Sequence, residues 1–185
     1  MICLETPLTK DKVKDLKAGD EVSLSGIIYT GRDAAHKRLF QLLDDNQELP
    51  FDIKDQTIFY VGPTPAKEGQ VFGSGGPTTS GRMDAYSPRL IKLGLRSMIG
   101  KGYRSEEVKQ AIKDNDGIYF GAIGGAGAMM SSCIEECEVI AFDDLGPEAI
   151  RRLKVKNMPL VVVIDSLGND LYEIGRKNYL KNHCK

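Results

Sequence analysis

The chain has 185 residues, of which 41% are hydrophobic and 28% charged, and its formal net charge is −1 at pH 7. This composition is typical of a globular protein with one domain and a substantial core, and it gives no general basic surface for nucleic acid. The longest apolar run, PLVVVID at 159–165, has the length of a strand, so we expect no membrane partner. The N-terminus carries acids and lysines in place of the apolar core of a signal peptide, which predicts a cytoplasmic protein.

The first half of the chain is predicted to be rich in β-structure. Alternation in EVSLSGIIYT predicts a strand over 21–29, followed by a turn and a helix that starts near Ala34. Two further short strands are predicted at TIFYVGP and QVFGSGGP, joined by a loop rich in proline and glycine. Serine and threonine are good helix caps, so a helix should follow TTSGR.

Strands and helices alternate more regularly in the second half. Strands are predicted at LRSMIGK, GIYFGAIG, CEVIAFDD, PLVVVIDS and LYEIG. Helices are predicted at SEEVKQAIKDN, with Ser105 as its N-cap, at GAGAMMSSCIEE, and at GPEAIRRLKVK, where Pro147 stands near the start. This alternation favours an α/β fold with a largely parallel sheet in this half. With the β-rich first half, it predicts a β/β/α layering in a single domain.

The stretch GSGGPTTSGRMD, residues 73–84, has the composition of an anion-binding loop. Its glycines let main-chain N–H groups approach a ligand just before a predicted helix. Thr78, Thr79 and Ser80 add hydroxyl donors, and Arg82 adds a two-pronged donor that suits a carboxylate or a phosphate. A nucleotide P-loop is excluded, because no lysine follows the glycines in register. A tight turn with a capping threonine and a surface arginine is the alternative.

Two other segments carry cations after predicted strands. In TGRDAAHK, Arg32 follows a strand, Asp33 could cap the next helix, and His36 comes three residues later. In IGKGYRS, Lys101 lies at the carboxyl end of a strand, where open α/β sheets bind ligands. A capped helix with a basic face and an ordinary turn lysine are the alternatives. Two arginines, a lysine and the hydroxyl-rich loop would together suit a small dianion.

The four cysteines form neither a disulfide framework nor a zinc pattern. Cys3 and Cys184 lie near the termini, whereas Cys133 and Cys137 would share one face of a helix. A metal pair is therefore an alternative to two thiols in a reducing compartment.

A second glycine-rich segment, GIYFGAIGGAGAMM, has the outline of a dinucleotide site, with Asp143 and Asp144 as the acids that follow. The spacing of its glycines does not match the dinucleotide pattern. Close packing of the glycines is the preferred interpretation, with either aspartate capping the helix predicted next.

The motifs GPTTSGRMD, GRDAAHK, GKG, GAIGGAGA and LGPEAIRRLKVKNMPLVVVIDSLGNDLY together resemble the β subunit of class I fumarate hydratase. Close kin are the β subunit of L-tartrate dehydratase and the C-terminal domain of single-chain class I fumarases. The resemblance covers nearly the whole chain. It implies a swivelling β/β/α domain of three layers and a hydro-lyase that interconverts (S)-malate and fumarate plus water.

The resemblance also implies a cofactor, a partner and residue roles. In this family a 4Fe–4S cluster is bound by cysteines of the α subunit, so this chain would bind no metal itself. It would act with that subunit in an α2β2-type assembly, with a homodimer of this chain alone as the alternative. Arg32 and Arg82 would grip a C4-dicarboxylate, and Lys101 would add charge. Thr78 would accept a proton, and Thr79 would support the loop. Supporting positions are assigned to Asp33, His36, Gly81 and Asp84.

Three other functions compete with this one. The β subunit of L(+)-tartrate dehydratase differs in a substrate that carries one more hydroxyl. A non-catalytic module that binds small anions and a nicotinamide-dependent oxidoreductase belong to different classes.

Overall fold

The structure of the protein is a computed structural model that describes residues 1–122 and 127–183. The strands in these ranges are β1 (Ile2–Glu5), β2 (Glu21–Thr30), β3 (Thr57–Phe59), β4 (Ser97–Gly100), β5 (Ile118–Ala122), β6 (Ile134–Ala141) and β7 (Ile150–Ile164). The helices are α1 (Lys10–Val13), α2 (Asp33–Asp44), α3 (Ser87–Lys92), α4 (Glu106–Asp114), α5 (Gly127–Ser132) and α6 (Leu171–His183). Short 3₁₀ turns occupy Ser80–Met83 and Asp143–Glu148.

The sheet closes into a small barrel. Strands β1 to β5 pair in parallel, each with the next along the chain. The long strand β7 pairs antiparallel with β5 and also with β2, which closes a ring of β2, β3, β4, β5 and β7. Strand β6 extends the sheet antiparallel to β7. The α/β class is confirmed, but the prediction of a largely parallel second half is wrong, because β6 and β7 run antiparallel to their neighbours.

Two apolar clusters lie on opposite faces of this sheet. The first draws on all five strands of the ring and fills the interior of the barrel. The second packs the outer faces of β3, β4 and β5 against α3 and α4. Residues 58–60 illustrate the alternation, since Phe59 belongs to the inner cluster, while Ile58 and Tyr60, which lies just beyond β3, belong to the outer one. None of the helices in the described part of the chain is long and apolar enough to span a bilayer.

Several predicted elements are confirmed. β2, β4 and β5 coincide with predicted strands, and α2 begins at Asp33 beside the predicted start. α4 begins where predicted, and Val108 N donates to the Ser105 side chain at 3.4 Å, as expected of an N-cap. A helix also follows TTSGR, but a 3₁₀ turn precedes it and the expected cap is wrong, because neither segment has a side-chain hydrogen bond at its N-cap.

The helix predicted at GPEAIRRLKVK is wrong, because Ile150 begins the long strand β7. Its residues pair with β2 along one edge and with β6 along the other, and this pairing overrides their helix propensity. Neither Asp143 nor Asp144 therefore caps a helix of that extent. Asp144 instead forms an ion pair with Arg38 of α2.

Three further predictions of secondary structure are wrong in whole or in part. LYEIG begins α6 and not a strand, and Tyr172 N donates to the Asp170 carboxylate at 2.9 Å at the start of that helix. QVFGSGGP forms no strand, and only an isolated bridge joins Pro77 to Val61 nearby. The helix predicted at GAGAMMSSCIEE ends at Ser132, and its last residues enter β6. The glycines at 124 and 125 lie outside the described residues.

A buried arginine ties α3 to the segment that follows β4. The Arg104 side chain is 0% exposed, and its Nε donates to Asp84 Oδ1 at 2.7 Å. Its Nη2 donates to Ser87 Oγ at 2.7 Å, and its guanidinium carbon lies 5.4 Å and 5.0 Å from the ring centroids of Tyr60 and Tyr119. The buried charge is thus paired, hydrogen-bonded and enclosed by aromatic rings.

His36 is fully buried between α2 and the sheet. Its Nδ1 donates to the main-chain oxygen of Arg32 at 2.8 Å, and its Nε2 has no hydrogen-bond partner among the described residues. The ring packs against Tyr60 and Tyr86. Burial disfavours the charged form and lowers the pKa of His36 to about 4.

Replacing Arg104 should destabilise the fold much more than removing a surface arginine. We expect Arg104→Met to lower the free energy of unfolding by about 3 kcal/mol, because Asp84 would lose its ionic partner. The matched control is Arg89→Met, which removes an exposed pair with Asp44 and should cost less than about 1 kcal/mol. Urea denaturation measures both, and equal losses would show that burial adds nothing to the Arg104 pair.

His36 should make stability depend on pH below neutrality. Its pKa is lower in the folded than in the unfolded chain, so its contribution is complete above about pH 6.5 and is lost as the pH falls towards 4. The loss between pH 7 and pH 4 should be about 3 kcal/mol. His36→Gln, which cannot titrate, should remove that part of the pH dependence in denaturation curves. If the free energy of unfolding fell equally with pH in the wild type and in His36→Gln, this assignment would be contradicted.

Candidate anion-binding site

The hydroxyl-rich loop lies across the carboxyl ends of β3 and β4. Thr78 N donates to the main-chain oxygen of Tyr60 at 2.6 Å, just beyond β3. Ser80 N donates to Lys101 O at 2.8 Å, and Lys101 N donates to Thr78 O at 3.3 Å, just beyond β4. These main-chain bonds place Thr78 and Thr79 beside Lys101. The two threonines form a short extended segment at the carboxyl ends of the strands.

The base of this loop is fixed by buried polar groups. The Tyr119 hydroxyl lies 2.9 Å from Ser80 Oγ and 3.0 Å from Gly102 O, and burial raises the pKa of that tyrosine. Gly100 allows the close approach, since a Cβ at this position would lie 1.9 Å from Ser80 Oγ. A side chain at the end of β4 would therefore displace the Ser80 hydroxyl group.

Arg32 enters the same region from the end of β2. It precedes α2, and its side chain lies against Gly62, where a Cβ would come within 2.3 Å of Nη1. Its Nη2 lies 3.7 Å from Glu148 Oε1. Its Nε is buried and forms no hydrogen bond with the described residues, which leaves one polar group of Arg32 unsatisfied in this arrangement.

Arg82 reaches α2 from the 3₁₀ turn after the loop. Its Nε donates to Asp33 Oδ1 at 3.0 Å, and its Nη2 lies 2.9 Å from Asp33 Oδ2. The pairing joins the loop to the start of α2, next to Arg32. Gly81 lies exposed in the same turn.

The start of α2 is capped by a residue that the sequence did not indicate. Ala34 N donates to Glu148 Oε2 at 2.7 Å, whereas Asp33 turns its carboxylate towards Arg82. The suggestion that Asp33 caps this helix is therefore wrong. His36 supports Arg32 through the main-chain oxygen of Arg32, not through its side chain.

Asp84 supports the site from behind. Besides Arg104, it accepts a hydrogen bond from Ser105 N at 2.6 Å, which fixes the segment that runs from Lys101 to α4.

Sequence reasoning missed Glu148, Arg104 and Tyr119. The only available signal was the arginine itself in GKGYRS, a charge between a strand and a helix.

The structure thus brings the predicted site residues together where the carboxyl ends of β2, β3 and β4 meet, and we call this the exposed edge. Thr79, Arg82 and Lys101 are exposed, and Thr78 and Arg32 are partly buried. Hydroxyl groups and three cations on this edge, with two carboxylates behind the arginines, could bind a small anion with two acidic groups.

The cysteines form a different arrangement from the one predicted. Cys133 follows α5 and Cys137 lies within β6, so the two do not share a helix face. Burial raises the pKa of both thiols, which keeps them protonated. In the described ranges, no group of three or more His, Cys, Asp or Glu side chains is placed to hold a metal ion.

Comparison with known proteins points to one family. The family model described as Fumarase C-terminus matches residues 1–175. A protein from Methanocaldococcus jannaschii, provisionally named L(+)-tartrate dehydratase subunit beta, is 40% identical over 94% of this chain and 93% of its own length. The class I aerobic fumarate hydratase of Escherichia coli is 41% identical over 82% of this chain.

The relatives differ in how much longer they are than this chain. The match covers 28% of the E. coli enzyme and 35% of a Geobacillus stearothermophilus protein provisionally named fumarate hydratase class I, which is 39% identical over 98% of this chain. The chain therefore spans about a third of these relatives and nearly all of the archaeal one. Both the family model and the identities show that the chain belongs to the Fumarase C-terminus family.

Proposed function

We propose that this chain is the β subunit of an iron–sulfur hydro-lyase that reversibly dehydrates (S)-malate to fumarate. The observation that carries the proposal is the grouping of Arg32, Arg82 and Lys101 around the Thr78–Thr79 segment on one edge of the sheet. Two guanidinium groups and an ammonium group suit a C4-dicarboxylate, which has a negative charge at each end.

The chemistry accounts for three cations at one site. Removing a proton next to a carboxylate builds a second negative charge on that end of the substrate. Preorganised donors lower this barrier, and losing one such donor typically costs about 3–4 kcal/mol. Arg82 and Arg32 are already anchored to Asp33 and Glu148, so little reorganisation is required when substrate binds.

Thr78 is the proton acceptor in this proposal. An ordinary alcohol is too weakly acidic for the role, so its alkoxide form needs a neighbouring cation. We assign this role to Lys101, since the main chains of the two residues are hydrogen-bonded. Thr79 and Gly81 hold the loop, and Asp84 holds its base.

The proposed cofactor and partner go together. The described thiols of this chain do not fit a 4Fe–4S cluster, because Cys133 and Cys137 lie on different elements and Cys3 lies on β1. We therefore assign the cluster to an α subunit that covers the exposed edge, in an α2β2-type assembly. The swivelling three-layer arrangement and the cytoplasmic location belong to the same proposal.

A second substrate is favoured by one comparison. The relative that matches almost end to end bears the name of a tartrate dehydratase β subunit. L(+)-tartrate differs from malate by one hydroxyl, so the same cations would grip its carboxylates. Co-expression of this chain with a candidate α subunit under anaerobic conditions, followed by assays with malate, fumarate, mesaconate and both tartrate enantiomers, decides between them. Anion binding without turnover of any of these acids would favour the non-catalytic module.

Arg82→Lys should cut kcat/KM of the reconstituted complex by about 100-fold or more, because a point charge cannot replace the two-pronged donor. Steady-state kinetics with malate measures the effect. Arg89→Lys, which alters an exposed arginine on α3, is the matched control and should retain wild-type kinetics. Wild-type rates in Arg82→Lys would remove Arg82 from the site.

Cys133→Ser and Cys137→Ser should leave the iron content of the purified complex unchanged, since the cluster is assigned to the partner. Metal analysis and the visible absorption of the cluster measure this directly. A parallel loss of iron and absorbance in either variant would place a cluster ligand on this chain.

A further inference from the structure

We propose that Asp33 is a positioning residue that orients the Arg82 guanidinium, an inference that rests on the proposed function. Asp33 holds one edge of the guanidinium, so that the opposite edge is presented to a substrate carboxylate. The assignment comes from the pattern of contacts between α2 and the 3₁₀ turn at Ser80–Met83.

The contacts use one side of a planar group. Nε of Arg82 donates to Oδ1 of Asp33 at 3.0 Å, and Nη2 lies 2.9 Å from Oδ2. A guanidinium has five N–H donors in a rigid plane, and Asp33 engages only the edge shared by Nε and Nη2, through one hydrogen bond at Nε and an ionic contact at Nη2. The edge shared by Nη1 and Nη2 keeps one donor from each nitrogen, which is the geometry of a second bidentate carboxylate contact.

Asp33 has no competing role in starting its helix. The amide of Ala34, in the first turn of α2, is satisfied by Glu148, whose Oε2 lies 2.7 Å from Ala34 N. Glu148 belongs to the turn before β7, far along the chain. Because this distant carboxylate caps the helix, the Asp33 carboxylate is free to face Arg82.

The negative charge of Asp33 stands next to a site proposed to bind an anion. A carboxylate beside an anion site repels the ligand, so Asp33 should weaken binding unless it contributes something else. Arg82 is 52% exposed and stands on a short turn, so its long side chain would otherwise sample many rotamers. Tethering Arg82 removes that freedom before the substrate arrives.

Asp33 also touches the second arginine of the clamp. Its Oδ2 lies 3.9 Å from Nε of Arg32, which has no hydrogen bond to the described residues. One carboxylate thus lies between the two guanidinium groups. Its negative charge partly offsets their mutual repulsion.

A double-mutant cycle tests the positioning role in the reconstituted complex. Asp33→Asn keeps the size of the side chain but removes the carboxylate charge that pairs with Arg82. We expect kcat/KM with malate to fall by about 10- to 100-fold. In an Arg82→Ala background the same change should have no further effect, because Asp33 acts through Arg82. Asp44→Asn breaks an equivalent ion pair at the other end of α2 and should leave kinetics unchanged. An unaltered kcat/KM in Asp33→Asn, or the same fold-loss in both backgrounds, would overturn the proposal.

A second measurement separates this inference from the proposed function. Heteronuclear NMR of the full-length chain follows solvent exchange at Nε–H of Arg82, identified by its absence in Arg82→Lys. Exchange should be slow in the wild type and in Asp44→Asn, and fast in Asp33→Asn. Fast exchange in the wild type overturns the tether, whatever the activity. A complex that turns over none of the tested acids, with slow exchange at Arg82, overturns the proposed function and with it the substrate-facing role of the tether.

Discussion

Parallel pairing of β2, β3 and β4 is the constraint on which the candidate site depends. Register aligns Thr30 with Phe59, and Phe59 with Ile99, so the three strands end side by side. The residues that follow them are therefore delivered to one edge of the sheet, with Arg32 after β2 and Lys101 after β4. The hydroxyl-rich loop then hydrogen-bonds across these ends. Strand register, and not any single ion pair, brings segments from distant parts of the chain into one site.

The site is supported from below by polar groups that water cannot reach. Arg104, Tyr119 and Ser87 form hydrogen bonds within the outer cluster, and each contacts a residue that borders the loop or its turn. A buried charge is costly unless it is fully satisfied, so such a network tolerates few alternative arrangements. The position of the loop and its turn thus depends on the packing beneath them.

Local signals were sufficient for the parts of the site that depend on strand ends. Arg32, Arg82 and Lys101 each stand in a short segment rich in glycine or hydroxyl residues beside a strand or a turn, and the rule for parallel sheets predicts that such segments meet.

Long-range contacts determine the elements that local patterns do not predict. β7 reads locally as a helix followed by a strand, yet its pairing with β2 and β6 makes it one strand of 15 residues. Glu148 caps a helix 114 residues away, which no local pattern encodes.

The same geometry leaves much of the candidate site open to solvent. Thr79, Arg82 and Lys101 lie on the exposed edge, where water screens their charge and weakens each interaction with a carboxylate. Burying that edge under another polypeptide would strengthen every one of these interactions without moving a residue. Asp33 and Glu148 offset part of the positive charge of the two arginines on this surface, which would otherwise repel each other.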